Sequence, residues 1–221
     1  MSLTLKTDGD FETLEKGQYF GTCYSIVDMG TTDQEYEGVK SKKKRVHISF
    51  ETNDHKMKDG RPFGVFKTYT ASLFESAALR KDLVSWRAKN FTEEEEAGFN
   101  ISNLLGCTAN IEVGHTSGGK PKIIGLFKPD GGIEKMATKN EQTLFDLDVY
   151  CDEFNGNSSS DTKAMCDVFA SLTPWMQSDI EDSYEYRAAV EKGDRTPATE
   201  EPSESLADLA TDTEDKEDLP F

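Results

Sequence analysis

Apolar and polar residues alternate through much of residues 17–127, and this period of two predicts short strands separated by turn signals. Residues 17–27 form the first such run, with Gly21 at its middle as a bend or bulge where a sheet curls. Residues 45–51 alternate strictly: Val46, Ile48 and Phe50 occupy one face, Arg45, His47 and Ser49 the other. After the turn signal of Asp59, Gly60 and Pro62, residues 63–70 are rich in aromatic and β-branched side chains and give a third strand. The period then changes. Leu79, Leu83 and Trp86 recur at helical spacing behind a Ser72/Glu75 capping box, and Thr92 with Glu95 repeats that capping signature. Two further strands, 107–113 and 122–127, flank the glycine-rich stretch 114–119, which reads as a hairpin loop.

Three strands, a helix and a two-strand hairpin is the element order of an OB-fold, a five-stranded Greek-key barrel with its helix between strands three and four. The expected fold is therefore mainly β, with that barrel in residues 1–140. Residues 146–154, 161–176 and 178–192 carry enough apolar side chains for short helices, so 141–192 is expected to dock on the barrel without building an independent core. Residues 193–221 are a mixture of proline, serine, threonine and acids that buries too little surface to offset ordering, and a disordered tail is expected there.

Composition narrows the classes. The 221 residues are 35% hydrophobic and contain no apolar run long enough for a membrane helix, and the first ten residues carry neither an apolar core nor a basic leader, so a soluble intracellular protein is expected. Four cysteines at 23, 107, 151 and 166 and three histidines show no metal-ligand spacing, which predicts reduced thiols and no metal. The net charge of −17 is unevenly distributed: residues 1–140 hold 20 bases and 20 acids, residues 141–221 hold 5 and 22. No phosphate loop, nucleophile elbow or zinc-protease motif is present, so neither an enzyme nor a cofactor is expected.

The chemistry therefore has to come from binding. Lys40, Lys42, Lys43, Lys44 and Arg45 place five bases in six residues where the loop between strands one and two enters strand two. In an OB barrel, oligonucleotides lie across strands two and three, between that loop and the loop joining strands four and five. This geometry brings the basic run, His47, Lys67, Tyr69, Lys120, Lys122 and His115 toward one groove. Lysines there would neutralise phosphates and aromatic rings would stack on bases. Tyr36, in a polar loop, is the stacking candidate; Tyr69 shares a strand face with Phe63 and Val65 and fits core and platform alike, whereas Tyr24 and Trp86 read as packing. The chain ends Asp218, Leu219, Pro220, Phe221, an apolar tip on an acidic tail that suits capture in an apolar pocket with a basic rim.

That tip, with Asp215 and Glu217 upstream, resembles the tips of bacterial single-stranded DNA-binding proteins, and with the barrel order the chain is similar to their bacteriophage-encoded members. The resemblance implies a protein of the infected host's cytoplasm that coats unwound DNA in replication and recombination and recruits partner proteins through Asp218–Phe221. It also implies an acidic tail that competes with DNA for the groove. The ordered 141–192 replaces the long flexible linker of bacterial members, which favours a monomer or dimer over their tetramer. Two other classes fit the same residues: a β-barrel that binds a protein through the basic run, and a metal-dependent nuclease or annealing protein.

Overall fold

The computed structural model describes residues 12–36 and 38–194. Six strands form one sheet: β1 (Gly17–Tyr36), β2 (Val39–Lys56), β3 (Pro62–Thr70), β4 (Thr108–His115), β5 (Pro121–Phe127) and β6 (Thr143–Phe145). The first five are antiparallel in the order β3-β2-β1-β4-β5, and β6 runs parallel to β1 beside Ser25, Ile26 and Val27. The edges β3 and β5 meet across a cleft of about 450 Å³ lined by Phe66, Lys67, Thr68, Lys122, Ile123 and Ile124, with no ladder between them among the described residues. The fold is mainly β as expected. The hydrogen bonds make a curled sheet that stays open at β3 and β5, where a closed five-stranded barrel was expected.

β1 bends because it serves two layers. Its first part pairs with both β2 and β4, and at Gly21 a side chain would come within 2.6 Å of the Glu51 carbonyl, so only glycine lets the three strands converge. Bulges follow at Cys23/Ser25 and Asp28/Gly30. Gly30 has φ +66°, and a Cβ there would strike Leu147 and Ser183, so its second half lies close against the C-terminal helices.

Helix α1 (Ala78–Arg87) closes the inner face: Leu79, Leu83 and Trp86 are buried against Ile48, Phe50, Val65, Ile111, Ile123 and Leu126. It starts six residues after Ser72, whose hydroxyl instead accepts from the Phe74 amide at 3.3 Å. Short α2 (Glu93–Ala97) does carry the expected Thr92/Glu95 capping box.

Four helices follow where three were expected: α3 (Leu147–Phe154), α4 (Ser160–Ser171), α5 (Pro174–Glu181) and α6 (Tyr184–Asp194). Pro174 divides the second predicted segment, because proline lacks the amide a helix interior needs but suits a helix start. Phe145, Leu147, Tyr150, Leu172, Met176 and Ile180 make a second buried cluster, completed by Val27 and Met29 of β1. The C-terminal helices thus have a core of their own, though not one separable from β1. No helix among the described residues is long and apolar enough to cross a membrane.

Candidate nucleic-acid interface

β2 is regular from Val39 to Thr52, so alternate side chains divide cleanly between two faces. Val46, Ile48 and Phe50 point inward, and β3 pairs in a register that sets Tyr69, Lys67 and Val65 opposite them. The outer face carries His47 opposite Thr68 and Ser49 opposite Phe66.

This register moves Lys67 and Tyr69 out of the groove expected for them. Both reach α1, where Asp82 accepts hydrogen bonds from Lys67 Nζ at 2.7 Å and from Tyr69 Oη at 2.8 Å. Burial, then the Asp82 charge, pushes the Tyr69 phenol far above its ordinary range. Tyr69 is a core residue of the first cluster.

The basic run is strand, not loop, because β1 and β2 continue as a long hairpin with Lys40, Lys42, Lys43 and Lys44 opposite Glu35, Asp33, Thr32 and Thr31. Parity again divides it. Lys44 turns to the inner side and pairs with Asp28 at 2.9 Å and Asp148 at 3.7 Å. Lys42 lies 3.8 Å from the ring centre of Tyr184, whose hydroxyl donates to Asp33 at 2.8 Å. Lys43 and Arg45 share the outer face with His47, but Arg45 is held by Asp179 of α5 at 3.1 Å. Lys40 is exposed near the hairpin end, and neither it nor Lys43 makes an ion pair with a described residue. The side chain of Tyr36 lies outside the described residues, as does the whole tip Asp218, Leu219, Pro220 and Phe221.

Helix α5 also explains His47. The residue is on the outer face as expected, yet it is only 1% exposed, with Phe66 on one side and Trp175 of α5 on another. Its Nδ1 is 2.9 Å from the Thr68 hydroxyl. Burial brings its pKa down to about 4, so the ring is neutral at physiological pH and offers a phosphate no charge. On the other hairpin, Lys120 and Lys122 are exposed, while His115 Nε2 lies 2.7 Å from the Leu14 carbonyl and is tied to the N-terminal segment.

Three residues of this face had no role in the sequence reading. Phe66 is 54% exposed, Trp175 46%, and Ile124 projects at the β3–β5 cleft. Tyr24, read as core, is the bulged residue of β1; it is half-buried, near Ser49 of the outer face. Phe66 was detectable: two adjacent large apolar residues in a strand, Val65 and Phe66, cannot share a face. Trp175 was not, since its position depends on where α5 docks.

The outer face therefore combines half-exposed rings with Lys43 on one side and Lys122 on another, a pattern that attracts an anion bearing flat apolar groups. Among the described residues, no group of three or more His, Cys, Asp or Glu side chains is arranged to hold a metal ion. No protein-family model matches the chain, and no match to a characterised protein is found.

Proposed function

We propose that the protein binds single-stranded DNA across the outer face of β2, β3 and β5, without strong sequence preference. The observation that carries this reading is the solvent-facing Phe66 ring, set in the sheet beside the cleft that holds Lys122. An aromatic side chain half-exposed in that position forgoes part of its hydrophobic stabilisation, and a stacked unpaired base adds about 1–3 kcal/mol. Lys43, Lys120 and Lys122 supply the salt-sensitive share by displacing counterions from phosphates. Duplex DNA, whose bases are already stacked, gains nothing from the ring.

The strand order β3-β2-β1-β4-β5, with β3 and β5 facing each other, supports an open form of the OB barrel, and the outer β2–β3 face is where such barrels take oligonucleotides. On the sequence resemblance alone rest the phage replication and recombination context, the host cytoplasm, and partner recruitment through Asp218–Phe221. A second reading is favoured by Ile124 and Phe127, both exposed on β5: a protein partner packs on this apolar edge.

Titration of labelled oligo(dT) and of a duplex of equal length at two salt concentrations tests the proposal. Tight oligo(dT) binding that weakens with salt is expected, with weak duplex binding. Replacing Lys43, Lys120 and Lys122 together by alanine should lower affinity for all sequences and flatten the salt slope by up to about three contacts. Equal affinity for duplex, or no oligo(dT) binding at low salt, overturns it in favour of the protein partner.

A further inference from the structure

Helix α5 buries its own anchors and leaves its largest ring outside. Met176 and Ile180, four apart, enter the second core, Gln177 Nε2 donates to the Phe169 carbonyl at 2.9 Å, and Asp179 holds Arg45. None of these contacts involves Trp175. A tryptophan that is not needed to dock its helix would ordinarily be buried for its large apolar area, yet nearly half of this one faces solvent.

Its surroundings show what it faces. The ring centre of Trp175 lies 5.3 Å from His47 and 6.4 Å from Phe66, and Phe66 lies 4.8 Å from His47. The Trp175 and Phe66 planes are inclined by only 32°, with neutral, buried His47 beneath them. Two rings that both meet water and together seal uncharged His47 from it offer adjoining aromatic surfaces for an unpaired base. Lys43, two residues from Arg45 on the same face of β2, and Lys122 at the neighbouring cleft supply positive charge for the phosphates on either side of such a base.

We propose that Trp175 and Phe66 together present a surface on which unpaired bases of single-stranded DNA stack, so that the C-terminal helices are part of the binding face. The proposal rests on the outer-face reading above and adds to it a residue outside the sheet. Arg45 is then a positioning residue: paired with Asp179, it fixes α5 and with it Trp175, and does not bind phosphate.

The chain has two tryptophans, and Trp86 is sealed in the core, so a change in emission on DNA binding reports Trp175. The experiment is titration of the full chain with oligo(dT), followed both by tryptophan emission and by anisotropy of an end-labelled oligonucleotide. Emission should be quenched in parallel with binding, and bound DNA should shield Trp175 from acrylamide. Trp175→Ala should weaken binding about tenfold or more, and Trp175→Phe should restore most of it, with far-UV spectra unchanged. Oligo(dT) binding with constant emission and unaltered Trp175→Ala affinity overturns stacking on Trp175 but leaves the outer-face reading intact. Tighter binding by Trp175→Ala also overturns it and identifies α5 as a cover. Absence of wild-type binding by anisotropy removes both proposals together.

Discussion

Two tryptophans, each on a short helix, lie against opposite faces of β2, and they differ in every respect that matters. Trp86 is fully buried, stands edge-on to Phe50 at 5.3 Å, and donates its indole N–H to the Thr108 carbonyl at 2.7 Å. Trp175 is 46% exposed and meets the rings of His47 and Phe66 on the sheet. The inner face buries Phe50, Ile48, Leu83 and Trp86 in one core, beside a cavity of about 410 Å³ lined by Ile26, Val46, Leu79 and Phe145. The outer face is covered only in part, and what it leaves open is aromatic. A helix docked by other residues leaves its tryptophan available for a ligand; a helix docked by its tryptophan does not.

The sharpest way to break this contrast is to remove each ring. Trp86→Ala should cost about 3–5 kcal/mol, from lost burial, the cavity left behind and the unpaired Thr108 carbonyl. Trp175→Ala should cost on the order of 1 kcal/mol or less, in keeping with a partly solvated side chain. Urea unfolding of the two variants checks the difference, and similar midpoints would show that α5 is held by its tryptophan after all.

The next effect concerns the residue beneath Trp175. The pKa of His47 falls from 6.5 to about 4 on folding because burial disfavours its charged form. As pH drops, the unfolded chain takes up this proton first, so the contribution to stability is complete above about 6.5 and is lost as pH falls through about 4. At 1.36 kcal/mol per unit, the total is about 3 kcal/mol. Thermal unfolding measured from pH 7.5 to 4 should show this loss, and His47→Gln should flatten it. A profile unchanged in the variant would mean that the outer face is wetter than its packing indicates.

The smallest effect is at the latch. Asp179→Asn removes the anion from Arg45, whose Nε is buried without a hydrogen-bond partner among the described residues. A pair in which Asp179 is 40% exposed is worth up to about 1 kcal/mol, so the midpoint should move little. Trp175 emission should nevertheless shift to the red as α5 loosens. An unshifted spectrum would show that Met176 and Ile180 alone position the helix.

Much of the architecture was legible in the sequence because it depends on local periods. Strict alternation in β2 identified its inward face as Val46, Ile48 and Phe50, and the stripe Leu79, Leu83, Trp86 identified the helix that covers them. The same alternation placed His47 outward. It could not show that α5 would bury it, because Trp175 lies 128 residues along the chain. Pro174 was a visible break that divides one predicted helix into two.

By itself, then, the sequence determined the five antiparallel strands but not β6, the helix on the inner face, their order and the concentration of acid beyond residue 140, since each of these follows from neighbouring residues. Tertiary structure decided which charges remain available. Lys44, Arg45 and Lys67 find their carboxylates at Asp28, Asp179 and Asp82, on β1, α5 and α1, and so leave the surface a phosphate would meet. It also decided which rings stay in solvent, because β3 register turns Tyr69 inward and Phe66 outward. A side chain's type limits what it can bind, but its direction and partners are set by the elements packed around it, and those come from distant parts of the chain.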